Sequence, residues 1–199
     1  LIPAAVLSDG ICTIYNVPDV SDVHRLIEML ELLNVKVTFK DETLIIDNTN
    51  AKNNEIPSNL AEKLRASYYF MGSLLAKYNH AEISYPGGCS IGARPIDLHI
   101  GGFEKLGAKT SIKNNNYTIK TNNLKGADIF LDFASVGATI NLMLAATKAK
   151  GTTRIYNAAK EPEIVNVASF LTTMGAKIYG VGTSEITIEG VEKLGDGIV

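Results

Sequence analysis

Three segments of this chain follow one pattern, and any fold must satisfy all three at once. Thr13-Ile14-Tyr15-Asn16 leads to Asn34-Val35-Lys36-Val37, Ile83-Ser84-Tyr85 to Gly107-Ala108-Lys109-Thr110, and Arg154-Ile155-Tyr156-Asn157 to Gly175-Ala176-Lys177-Ile178. Each begins as a short β-branched or aromatic strand, crosses a polar loop and continues with apolar residues at helical spacing. In the first copy these are Val23, Leu26, Ile27, Leu30 and Leu33; in the third they are Val167, Phe170, Leu171 and Met174. Asn34, Gly107 and Gly175 then stop the helices, because a left-handed cap favours those residue types.

Residues 36–47, 109–120 and 177–189 read as strand pairs, with Asn114-Asn115-Asn116 and Gly182-Thr183-Ser184 at two of the tips. Helical stretches over residues 59–78 and 135–148 precede the second and third copies, so the unit is helix, strand, helix, hairpin. The first copy lacks most of its opening. One unit alone leaves an apolar helix face uncovered, so the three are expected to close on each other with helices packed together and sheets outside. That is an α+β class fold, one domain over residues 1–199.

The 46% hydrophobic content of 199 residues supports such a core and excludes disorder. Lys+Arg 19 against Asp+Glu 21 are scattered, giving a net charge of -2 and no electrostatic footprint for nucleic acid, although a local anion pocket stays open. Two cysteines, Cys12 and Cys89, are too few for a disulfide framework or a zinc site and fit a reducing, cytoplasmic setting. His24, His80 and His99 show no ligand spacing, so neither a metal nor another cofactor is expected. No apolar run reaches the length of about eighteen residues that a membrane span needs. Residues 1–7 are apolar but lack a basic leader and a cleavage site; a start at Leu1 reads as a trimmed piece of a longer protein.

The repeat is broken once. From strand Tyr to the residue after the cap, the second copy (Tyr85 to Ala108) is longer than the first (Tyr15 to Val35) and third (Tyr156 to Ala176). The extra length falls in Pro86-Gly87-Gly88-Cys89-Ser90-Ile91-Gly92-Ala93-Arg94-Pro95-Ile96-Asp97. A scaffold that repeats for stability and departs in one loop points to function there. Its glycines permit large excursions, and Arg94 favours thiolate in Cys89 while offering a fork to a carboxylate or phosphate. The thiol is suited to act as an acid or, ionised, as a nucleophile. Cys12, in a strand pattern, reads as a small buried apolar residue. Ser135 caps a helix whose small residues Gly137 and Ala138 leave amides open to an anion, although an ordinary cap explains the same pattern. Arg65 is either on a helix rim or aimed into a ligand pocket.

The loop through Leu98 and His99 resembles the cysteine loop of the UDP-N-acetylglucosamine 1-carboxyvinyltransferase family of enolpyruvyl transferases. The likeness continues through Asn16-Val17-Pro18-Asp19, Leu64-Arg65-Ala66-Ser67, Leu124-Lys125-Gly126-Ala127, Ser135-Val136-Gly137-Ala138-Thr139, Glu161-Pro162-Glu163-Ile164-Val165 and Ile186-Thr187-Ile188-Glu189-Gly190-Val191, covering essentially the whole chain. The resemblance implies an inside-out α/β barrel of three repeats, one of two domains flanking an active-site cleft, and enolpyruvyl transfer from phosphoenolpyruvate to the 3-hydroxyl of UDP-N-acetylglucosamine in peptidoglycan synthesis. It implies that Cys89 is a mobile general acid open to alkylation by fosfomycin, and that Arg65 and Arg94 hold anionic groups of the substrates. It further implies that Arg94, Pro95, Ile96, Asp97 and Leu98, with Phe133, Ala134, Ser135, Val136 and then Gly137, contact the UDP-sugar. The family's Lys-Asn pair before Leu1 and its second domain, with a carboxylate that takes the sugar hydroxyl's proton, are absent from this sequence. Phe133 stands where some relatives have lysine, and Lys160 where arginine is usual. Alone, this piece is therefore expected to bind UDP-sugar weakly and not to turn over. The rival readings are the shikimate-pathway enolpyruvyl transferase, which shares the barrel but lacks this loop, and a binding module or thiol redox protein on the same scaffold.

Overall fold

The computed structural model describes residues 1–85 and 96–199. The first unit runs α1 (Ile2–Ala5), β1 (Ile11–Ile14), α2 (Ser21–Leu32), β2 (Lys36–Lys40) and β3 (Thr43–Asp47). The second runs α3 (Ser58–Ala61), a 3-10 turn (Arg65–Tyr68), α4 (Tyr69–Tyr78), β4 (His80–Ser84), α5 (Asp97–Lys105), β5 (Lys109–Lys113) and β6 (Asn116–Lys120). The third runs β7 (Asp128–Phe130), α6 (Val136–Ala146), β8 (Thr152–Tyr156), α7 (Pro162–Thr173), β9 (Lys177–Tyr179) and β10 (Glu185–Glu189), and β11 (Gly197–Ile198) follows.

All three hairpins form; the second and third turn at the Asn- and Gly-bearing tips that the sequence pattern gives, whereas the first, where an Asn- or Gly-rich turn is also expected, turns at Asp41 and Glu42. Asp41 and Glu42 in the first, and Asn114 and Asn115 in the second, have positive φ at both central positions, which matches the twist of the flanking strands. The helix ends are also alike. Asn34, Gly107 and Gly175 are left-handed (φ 57, 92 and 103), and the next amide, of Val35, Ala108 or Ala176, reaches back to the carbonyl of Leu30, Phe103 or Leu171 at 3.1, 3.0 and 3.0 Å. Each cap thus satisfies carbonyls that the helix leaves open.

The sheets run β11-β1-β3-β2, β7-β8-β10-β9 and β4-β6-β5. In the first two, an extra strand pairs parallel to the unit's leading strand, and Ile56 makes the corresponding parallel bridge to Ile83 in the third. These parallel partners escaped the sequence pattern because they are only two or three residues long. β11 stands beside β1 from the far end of the chain, in the place that β7 holds beside β8.

The helices fill the interior, as the threefold pattern requires. α4 is buried from Phe70 to Ala76 and α6 from Ala138 to Ala146, the signature of helices that are apolar on every side. They touch at Gly72, where a Cβ would lie 2.4 Å from the Asn141 carbonyl oxygen. Cys12 is fully buried, its Sγ 3.6 Å from Met174 Sδ, and burial pushes its thiol up, in keeping with a structural role.

One expectation fails. Residues 59–78 are not a single helix: the chain is extended at Leu64 (φ -143, ψ 114) and restarts as the 3-10 turn before α4. Extending there sinks Leu64 into the core, at 7% exposure, and sets Arg65 at the start of a new turn.

Candidate functional site

Three helical segments begin at one end of the barrel: the 3-10 turn at Arg65, α5 at Asp97 and α6 at Val136. Tyr68 joins them. Its ring takes the Arg65 guanidinium at 5.5 Å from the centroid, lies 4.4 Å from the Tyr69 ring and meets the edge-on His99 imidazole at 5.0 Å. A cation over a tyrosine face is attracted by the ring quadrupole. Gly137 completes the contact, because a Cβ there would stand 2.7 Å from the Tyr68 hydroxyl and 3.2 Å from His99 Cε1.

Beneath this cluster, the buried carboxamide of Asn141 accepts from the Gly72 amide at 2.8 Å and donates to the Tyr68 carbonyl at 2.9 Å. It thereby spans the junction between the 3-10 turn and α4. Its remaining N–H meets His99 Nδ1 at 2.9 Å. With the amide orientation set by the Gly72 N–H, Nδ1 has to be the acceptor, so His99 is neutral with its proton on Nε2. Burial, and then the charge of Arg65, hold His99 down at about 4. Burial and the adjoining Tyr68 hydroxyl push Tyr69 well above the ordinary tyrosine value.

At α6, Ser135 Oγ accepts from the Ala138 amide at 3.3 Å, so the cap is real. The first amides of a helix have no intrahelical partner and carry the positive end of its dipole. Beside a pinned guanidinium, they make this end of the barrel suited to an anionic ligand. Two cavities flank α6. One of about 200 Å³ is lined by Tyr69, Val136, Ile140, Glu163 and Val167 among others. The other, of about 530 Å³, is lined by Ala134, Asn157, Lys160, Glu161 and their neighbours. The loop bearing the second cavity is tied to α6 by the Ala159 amide, which donates to Thr139 Oγ1 at 3.1 Å.

The candidate residues separate accordingly. Arg65 and Gly137 meet at Tyr68, and Asp97 and Leu98 sit one turn or less from His99 at the start of α5. Ser135 and Val136 begin α6; Phe133, 62% exposed, and Ala134 lie on the approach to it. Ile96 is 2% exposed and its side chain belongs to the core, leaving its backbone for any ligand contact. Cys89, Arg94 and Pro95 lie outside the described residues. Sequence reasoning missed Tyr68, Asn141 and the part played by His99. The i,i+3 spacing of Arg65 and Tyr68 was the one available signal, since His99 stands on α5, far along the chain, and Asn141 on α6 of the third unit. Among the described residues no helix is long and apolar enough to cross a membrane.

Comparison with known proteins bears on all of this. The sequence model of the EPSP synthase (3-phosphoshikimate 1-carboxyvinyltransferase) family matches residues 1–199. The chain is 55% identical, over 98% of its length and 46% of the relative's, to UDP-N-acetylglucosamine 1-carboxyvinyltransferase 2 of Lactiplantibacillus plantarum. It is 52% identical to the protein of the same name from Geobacillus kaustophilus, over 98% of this chain and 45% of the relative. It therefore spans about half the length of the relatives it matches. In fold, it superposes over its full length on 47% of the enolpyruvyl transferase NikO from Streptomyces tendae, with a TM-score of 0.86 at 21% identity. An EPSP synthase from Acinetobacter baumannii gives 0.74 at 16% identity, over all of this chain and 46% of that one.

Proposed function

This chain belongs to the EPSP synthase (3-phosphoshikimate 1-carboxyvinyltransferase) family, and we propose that within it the chain is the cysteine-loop part of a transferase that moves the enolpyruvyl group of phosphoenolpyruvate onto the 3-hydroxyl of UDP-N-acetylglucosamine. The observation that carries this reading is the identity of 51–55% over 98% of the chain to proteins bearing that enzyme's name. The anion-suited end of the barrel supports it, since both substrates are phosphorylated. The reaction belongs to peptidoglycan synthesis and the setting to the cytoplasm.

In the proposed chemistry, Cys89 gives a proton to the methylene carbon while the sugar oxygen bonds to C2. The hydroxyl proton passes to a carboxylate on a second domain of the full-length protein. The tetrahedral adduct then loses a proton from the new methyl carbon and expels phosphate, restoring the double bond. Arg65 and Arg94 hold the anionic groups. Pro95, Ile96, Asp97 and Leu98 with Phe133, Ala134, Ser135, Val136 and Gly137 hold the UDP-sugar, and fosfomycin alkylates Cys89. Exclusion of water from the site protects the adduct from hydrolysis.

The test is phosphate release from phosphoenolpyruvate by the full-length protein. Dependence on UDP-N-acetylglucosamine, lost in Cys89→Ala, is the expected result. Dependence on shikimate 3-phosphate overturns the substrate assignment, and normal turnover of Cys89→Ala overturns the role of the thiol.

A further inference from the structure

The opposite end of the same helices carries charge that the fold does not neutralise. α4 ends at Tyr78, with Asn79 left-handed at φ 56, about 15 Å from its start at 1.5 Å per residue. Two cavities adjoin there. One, of about 640 Å³, has Asn79, Lys109, Lys120, Asn122 and Lys125 in its walls. The other, of about 680 Å³, has Asn79, Asn123, Lys125, Lys148 and Lys150. Asn79, Asn123 and Lys125 belong to both.

Strand register sets the lysines face to face. Lys109 and Lys120 are direct cross-strand partners, in line with His80 on β4. Lys125 and Lys150 are partners in an isolated parallel bridge. Like charges placed directly opposite destabilise a pairing unless a counter-charge sits between them. Among the described residues none of these four lysines has an ion pair. Lys77, which also borders the second cavity, is by contrast occupied by the Ser8 carbonyl and by Asp9 at 3.5 Å. Among the described residues Glu192 is the one carboxylate lining either cavity. The negative ends of α4 and α6 suit Lys77 and Lys148, which lie on or beside their last turns, and that effect fades within a turn. The carboxamides of Asn79, Asn122 and Asn123 make no hydrogen bond among the described residues and add neutral donors.

We propose that this double cleft binds a short chain of linked phosphates, free or as the tail of a nucleotide, at a site separate from the one where Arg65 and Gly137 meet. Two facing lysine pairs joined by a shared wall match several linked negative charges better than one phosphate. The volumes fit a ligand of that size, and among the described residues neither pair's ammonium groups make an ion pair within the fold.

Tripolyphosphate is the probe, measured by calorimetry on the full-length protein, with adenosine triphosphate in a parallel arm. Saturable tripolyphosphate binding is expected, weakened at least about tenfold in the Lys120→Gln, Lys125→Gln double variant and unchanged in Arg65→Gln and Lys177→Gln. Affinity should fall as salt rises. Equal or weaker binding of the nucleotide marks the free phosphate chain as the ligand, whereas a nucleotide about tenfold tighter marks the nucleotide tail; both support the site. Absence of saturable binding, full affinity in the double variant, or loss in Arg65→Gln overturns it. Because the substrate reading is tested by turnover and this one by lysine variants, one can fail without the other.

Discussion

His99 is held uncharged by burial and by Arg65, and that sets a dependence of stability on pH. Folded, it takes a proton only near about 4; unfolded, near the ordinary ~6.5. Between those values the unfolded chain binds more protons, so stability falls as pH drops through the window, by on the order of 3 kcal/mol across it. In urea melts between these pH values, His99→Gln should lose this part of the decline, and an unchanged slope would remove His99 as its source. Gly137 is a matter of space. Its missing Cβ leaves room for the Tyr68 hydroxyl, so Gly137→Ala should cost about 1–3 kcal/mol. Adding Tyr68→Phe should return part of that, giving a non-additive double-mutant cycle. Strict additivity would show that the two residues do not press on each other.

Asn141 works on whole elements, because it joins α6 to the 3-10 turn, α4 and α5 at once. Removing its carboxamide strands a buried amide, a carbonyl and an imidazole nitrogen. Asn141→Ala should therefore lose about 3 kcal/mol in chemical denaturation. Asn141→Asp distinguishes a polar hub from simple filling of space. A carboxylate still accepts from Gly72 but has no proton for His99 Nδ1, so the imidazole gains by protonating, and its pKa should rise from about 4 when followed by NMR. A His99 titration that does not move in this variant would contradict the assigned hydrogen bond. The same hub shows why the break at Leu64 matters: it separates Arg65 and Tyr68 from α3 and starts the new turn on which Tyr68 meets Arg65, His99 and Gly137.

At the scale of the molecule, closure rests on β11. It pairs with β1, and its neighbour Asp196 accepts the Ile11 amide at 2.7 Å through its carboxylate. Gly197 lies so close to α7 and β1 that a Cβ would meet Met174 Cγ at 2.7 Å, Phe170 Cε2 at 2.8 Å and Cys12 Sγ at 3.2 Å. Gly197→Ala should destabilise the protein by about 1–3 kcal/mol and raise amide exchange in β1 as well as in β11. Exchange confined to β11 would mean that the strand is an appendage rather than the piece that completes the first sheet.

The hairpins, the left-handed caps at Asn34, Gly107 and Gly175, the buried helices and the capping by Ser135 were all legible in the sequence, because each depends on residues a few positions apart with a strict period or a strict backbone requirement. Arg65, Ser135 and Gly137 could be singled out for the same kind of reason, or by resemblance. The tertiary structure alone decided that a tyrosine would gather Arg65, His99 and Gly137, that Asn141 would bind three elements, and that residues near Val199 would pair with residues near Cys12. Those contacts join positions tens to nearly two hundred residues apart, and no local pattern encodes a distance closed only when three apolar helix faces pack against one another.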